Sequence, residues 1–128
     1  MSNRSEIYID GSWIASSGTE TIDVINPSTE EIIGSTPAGT KEDVDLAVKA
    51  AKEAFQGWSE MTLEERLSYI EGLAAKLGER SAEIGELISQ EVGMPGKMSM
   101  MIQAGLPAAT TASVSGTARE FPFEETIG

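Results

Sequence analysis

VINPSTEEIIGSTPAGT, residues 24–40, carries the turn chemistry that divides this chain into strands followed by helices. Pro27 fixes φ for the second position of a turn, and Asn26 can bond the backbone from the first. Ahead of the turn, TIDVIN alternates, with Ile22 and Val24 on one face and Thr21, Asp23 and Ile25 on the other. Behind it, EEIIGST returns as a partner strand until Pro37-Ala38-Gly39 breaks it. Further upstream, IYIDGSWI (7–14) has β-branched and aromatic residues on both sides of Asp10-Gly11. That dipeptide suits a two-residue type I′ hairpin turn, in which positive φ is required.

Downstream of the quoted stretch the period changes. Thr40 is a suitable N-cap, with Glu42 and Asp43 in the positive first turn. Val44, Ala47, Val48, Ala51, Phe55 and Trp58 then recur at helical spacing, and Gly57 is expected to end the helix. Thr62 and Glu65 form a capping box before the apolar face of Leu63, Leu67, Ile70, Leu73, Ala74 and Leu77. Gly78 is the expected stop, and Ser81 the expected cap of a third helix carrying Ile84, Leu87 and Ile88. Gly93 reads as its C-cap, and Pro95 as the first turn of a last helix reaching about Ala118. Pro107 is expected to kink or break that helix, whose Ala/Thr/Ser/Gly run has poor propensity. The expected organisation is hairpins over 1–36, a helical region over 40–118 and an extended tail over 119–128.

Composition excludes several function classes. A formal charge of −12, with the nine cations dispersed among acids, argues against nucleic acid and against a basic membrane-surface helix. No apolar run approaches the ~20 residues of a membrane span. The opening MSNRSEIYIDG lacks the apolar core and cleavage site of a signal peptide, so a cytoplasmic protein is expected.

There is no cysteine and no histidine. That removes disulfides, thiolate nucleophiles, thiolate or imidazole metal sites and the commonest general base. The pairs Glu30/Glu31, Glu64/Glu65 and Glu124/Glu125 read as surface or capping groups, because neighbours on a helix point about 100° apart. Met98, Met100 and Met101 read as gap-filling core, and Trp13 and Trp58 as packing residues. Neither a G-x-G-x-x-G fingerprint nor a P-loop occurs. From the residues alone this is an acidic α+β chain without a self-contained active site.

The colinear order of these pieces is more specific than any one of them. Tyr8-Ile9-Asp10-Gly11 with Trp13, Ile25-Asn26-Pro27, the helix from Asp43 through Ala47, Ala50-Ala51 and Ala54-Phe55 to Trp58, Glu65-Arg66, and Glu91-Val92-Gly93 with Pro95 resemble the start of the NAD(P)-dependent aldehyde dehydrogenases. The resemblance covers essentially the whole chain, most closely to Pro95. It implies an α+β portion of an α/β family: two hairpins and three to four amphipathic helices from the front of the cofactor-binding domain, roughly the first quarter of the family's chain.

In that family, hydride passes to nicotinamide from a covalent thiohemiacetal, and the thioester is then hydrolysed. A thiolate is required for the covalent step. The resemblance therefore implies no catalytic and no cofactor-binding residue here, no cofactor for this chain alone, and NAD(P) for the full-length family. It also implies one metal candidate, a monovalent cation held by main-chain oxygens of Val24 and Ile25 and by Glu91. Oxygen-only ligation suits a hard cation, although the same oxygens can instead bond local backbone or water. The expected partners are the remainder of the enzyme or a second copy. The competing readings are a stand-alone interaction module derived from the family and a small carboxylate enzyme.

Overall fold

The structure, a computed structural model, describes residues 4–128. Two antiparallel hairpins lead the chain: β1 (Glu6–Ile9) with β2 (Ser12–Ala15), and β3 (Thr21–Ile25) with β4 (Ile32–Pro37). Helices follow: α1 (Lys41–Glu60), α2 (Leu63–Glu79), α3 (Ser81–Val92), the short α4 (Gly96–Met98), a π-helical stretch (Ser99–Ala104) and α5 (Gly105–Glu120). These elements divide into two compact units, residues up to 60 with 90–93, and residues 61–89 with 94–128.

In the first unit, the type I′ turn is present as expected. Asp10 (φ 52°) and Gly11 (φ 75°) both lie in the left-handed region, and Tyr8 faces Trp13 across the ladder. Their rings meet edge to face at 5.3 Å, and the Arg4 guanidinium lies 5.1 Å from the Trp13 ring centre. Trp13 thus packs locally while remaining half exposed. The second hairpin begins its return at Ile32, later than the sequence suggested. The loop spends its residues on an Asn26 turn, in which Ser28 N–H donates to Asn26 Oδ1 (2.9 Å) and Glu30 N–H to Asn26 O (2.8 Å). Pro37 does not break β4, because it sits at the strand's last position, paired with Thr21.

Two expected helix stops are absent. α1 passes Gly57 and α2 passes Gly78. A glycine terminates a helix when it adopts positive φ, and of these three candidates only Gly93 does so, at 72°. Ser81 opens α3 instead of capping it, since Ile84 N–H is already taken by the Arg80 carbonyl (2.9 Å). Pro95 stands at the N-cap of α4.

The second unit is built on α2 against α5. Leu67 (3% exposed) and the face of Ala104 and Ser115, both buried, form its interior, with Ala108, Thr111 and Ala118 half-buried on the same side of α5. Small side chains let the two helices approach, and packing outweighs the weak propensity of the run. The hydroxyls of Thr110, Ser113 and Thr117 bond back to the helix itself, as in Thr110 Oγ1–H to Leu106 O (2.9 Å). Pro107 leaves the helix unbroken, because the π-helical stretch immediately before it shifts the carbonyl ladder that its ring would otherwise strike. The expected Met98–Met101–Ile102 stripe does not form core here. Met101 is 77% exposed, and the inward residues of that stretch are Ser99 and Ala104.

Candidate functional site

The three cation-ligand candidates belong to the first unit. Val24 lies opposite Gly34, and a bulge separates it from Ile25, which lies opposite Ile32. Asn26 N–H donates to Glu31 O at 2.9 Å directly after them. Glu91 is exposed in the last turn of α3. Two residues further on, Gly93 abuts the loop: a Cβ there would fall 2.9 Å from Pro27 Cγ and 3.4 Å from Ser28 Oγ. The fold thus brings the end of α3 against the loop that follows Ile25. Two carbonyls and one carboxylate are fewer than the six to eight oxygens a hard cation such as Ca²⁺ takes. No group of three His, Cys, Asp or Glu suited to a metal occurs among the described residues.

Asp43 is the best-built polar centre of the unit, more than the first-turn acid its position in the sequence suggests. Its Oδ2 accepts from Ser16 Oγ–H (2.6 Å) and from Thr40 N–H (3.0 Å), and Oδ1 accepts from Ser17 N–H (3.0 Å). Thr40 Oγ1 accepts in turn from Asp43 N–H (3.2 Å) and shares a hydrogen with Ser17 Oγ. The carboxylate is 4% exposed. Ser16 above all, then the Ser17 and Thr40 amides, hold it well below the usual carboxylate range against the opposing effect of burial. The signal available in the sequence was Thr40-x-x-Asp43, a box that satisfies two helix-start donors reciprocally.

That arrangement is structural in its chemistry. A general base works best with a pKa near the operating pH, whereas this carboxylate accepts three hydrogen bonds and stays charged around neutral pH. Phosphates bind at open helix N-termini, and the N-terminus of α1 is filled by its own anion.

The remaining acids behave as expected of surface and capping groups. Glu65 closes the capping box with Thr62 N–H (2.8 Å), and the Thr62 hydroxyl lowers its pKa. Glu64 is instead held by Arg119 Nη2 (2.8 Å), which lowers its pKa and raises that of Arg119. Glu64 and Glu65 therefore share no proton. Arg66 Nε and Ser115 Oγ are buried without a partner among the described residues, closed to an incoming ligand as to water. A shallow groove of about 370 Å³ between Ile9, Ile14, Leu46 and Ala50 carries the polar groups of Asp10, Ser12, Lys49 and Glu53.

A sequence profile of the aldehyde dehydrogenase family matches residues 13–126. The whole chain is 37% identical to 27% of the length of a 3-succinoylsemialdehyde-pyridine dehydrogenase from Pseudomonas sp. Two thirds of it (67%) is 45% identical to 18% of a malonate-semialdehyde dehydrogenase 1 from Geobacillus kaustophilus. Among solved structures, an aldehyde dehydrogenase from Bartonella henselae superposes on 99% of the chain with a TM-score of 0.95 at 33% identity, using 27% of its own length. Aldehyde dehydrogenase C from Pseudomonas syringae, in complex with NAD+ and octanal, superposes on 97% with a TM-score of 0.93, also at 33% identity, using 26% of its length. The chain thus spans about a quarter of the length of these relatives, and the hairpin–helix order seen here is theirs. On sequence and on backbone alike, this chain belongs to the aldehyde dehydrogenase family.

Proposed function

We propose that these 128 residues serve as the front scaffold of an NAD(P)-dependent, aldehyde-oxidising enzyme and supply none of its reacting groups. The observation that carries this reading is a conjunction. The chain follows its relatives along its whole length, yet contains no cysteine or histidine. The covalent step of aldehyde oxidation needs a thiolate, and the carboxylates here are spent on caps and ion pairs. The chain by itself is then inactive, and NAD(P) is bound by residues outside these 128.

Val24, Ile25 and Glu91 complete a monovalent-cation site in this reading only when further oxygens join them. The contact of Gly93 with Pro27 is what holds the two segments together for it. The partner is the rest of the enzyme, in a cytoplasmic setting. Exposed apolar groups of the second unit, such as Met101 and Leu106, are surfaces for it to cover.

A chimera tests the scaffold role. Residues 1–128 would replace the matching quarter of the Pseudomonas semialdehyde dehydrogenase, and NAD-dependent oxidation of that enzyme's aldehyde would be measured. Retained turnover is expected. A soluble, folded chimera without turnover would contradict the reading.

A further inference from the structure

We propose that α5 is a detachable strap, latched onto α2 by Arg119 and able to open as a unit while α2 and α3 stay folded. The latch is one guanidinium on two carboxylates. Arg119 Nε–H donates to Glu64 Oε1 (3.0 Å), and Nη2–H donates to Glu64 Oε2 (2.8 Å) and to Glu71 Oε1 (3.1 Å). Glu64 and Glu71 stand two turns apart on α2, about 10 Å along its axis, so a single side chain grips both. The pairs Lys41–Asp45, Lys76–Glu79 and Arg80–Glu83 join residues three or four apart in the chain. Arg119 instead reaches back 55 and 48 residues to another helix.

What the latch holds is weak by itself. The inward residues of α5 are Ala108, Thr111, Ser115 and Ala118, all small, while its larger Leu106 and Val114 are exposed. Burial stabilises in proportion to apolar area, so this seam contributes little per turn. The Thr, Ser and Gly residues between Thr110 and Thr117 are poor helix formers, and a short helix of that composition does not persist undocked. Ser115 Oγ is buried in the seam without a partner among the described residues, whereas water satisfies it when the strap is off. Sparse apolar contact and an unmet polar group belong to the low-stability end of a fold. A bidentate guanidinium in a three-group network is the geometry in which an exposed ion pair does contribute.

The hinge lies at the other end. The π-helical stretch is anchored to α3 separately, by Ser99 Oγ–H to Gly85 O (2.6 Å), so opening begins at Gly105, where α5 starts. Arg119 stands one residue before the end of α5 at Glu120. The latch therefore also fixes where residues 121–128 leave the helix, and its release frees that segment together with α5. This inference concerns the chain as it stands and does not rest on the enzyme reading above.

The test is residue-resolved amide hydrogen exchange on the purified chain. The amides of α5 should exchange together, at least about tenfold faster than those in the middle of α2 and α3. Arg119→Met should speed α5 a further five- to tenfold or about that, leaving α3 unchanged. Glu64→Gln with Glu71→Gln should match it, and all three substitutions together should be no faster than Arg119→Met alone. Salt at about 1 M should speed α5 in the parent chain but not in Arg119→Met, because screening removes only what the latch supplies. Exchange of α5 and α2 at one common rate, rates unmoved by Arg119→Met, a triple variant faster than either parent variant, or a salt response that survives in Arg119→Met would each overturn the proposal.

Discussion

Ser99 donates its side-chain hydrogen to the carbonyl oxygen of Gly85 at 2.6 Å, with both residues buried where α3 meets the π-helical stretch. The backbones come this close because Gly85 has no Cβ: one placed there would lie 2.7 Å from Met100 Cγ and 3.0 Å from its Cα.

Gly85→Ala should therefore lower the thermal midpoint. Overpacking costs about 1–3 kcal/mol, against about 1 kcal/mol regained from helix propensity. Gly72, in the middle of α2, stands in open space, where an added Cβ would meet nothing within 4 Å. Gly72→Ala should accordingly raise the midpoint, by the propensity difference of about 1 kcal/mol. Equal shifts in the two variants would show that the α3 contact is not close.

Asp43 should make the first unit dependent on a carboxylate. Its folded pKa lies below its unfolded value of about 3.9, so its contribution is fully present above that value. The contribution is lost only as pH falls through the much lower folded pKa. Asp43→Asn should destabilise the chain by a constant amount from pH 7 to about pH 5, with the gap to the parent narrowing below about pH 4. Denaturant titrations at several pH values would show it, and a gap that widens in acid would refute the clasp.

Thr62→Ala removes the acceptor for Glu65 N–H (3.3 Å) and should cost about 1 kcal/mol in α2. Glu65→Gln, which keeps an acceptor for Thr62 N–H, should cost less. Urea midpoints rank the two variants.

Gly93→Ala combines two penalties, a left-handed backbone at φ 72° and a Cβ driven to 2.9 Å from Pro27 Cγ. A loss of at least about 1–2 kcal/mol is expected from the backbone alone. Amide exchange in the 26–31 loop should rise in the same variant, and an unchanged loop would detach α3 from it.

What the sequence could and could not announce follows from the range of each interaction. Asp10-Gly11, the Thr62/Glu65 box and the Gly93 stop are local chemistry, and each stands where the residues place it. Gly57 and Gly78 misled because a glycine marks a stop only if the chain beyond turns away, a choice made by packing. Pro107 misled because the π-helical stretch that absorbs it has no signature of its own in the sequence. The Asp43 centre was half legible: the Thr40 box spans three residues, but Ser16 and Ser17 arrive from 27 and 26 residues away. Among the candidate ligands, the carbonyls of Val24 and Ile25 carry no side-chain signal, and only resemblance suggested them.

Incubating the purified chain with NAD or NADP and a series of short aldehydes, while following nicotinamide reduction, tests the central claim most directly. The account predicts no rate above buffer, because none of the 128 residues supplies a thiol. Turnover that accompanied the chain through repeated purification would contradict it.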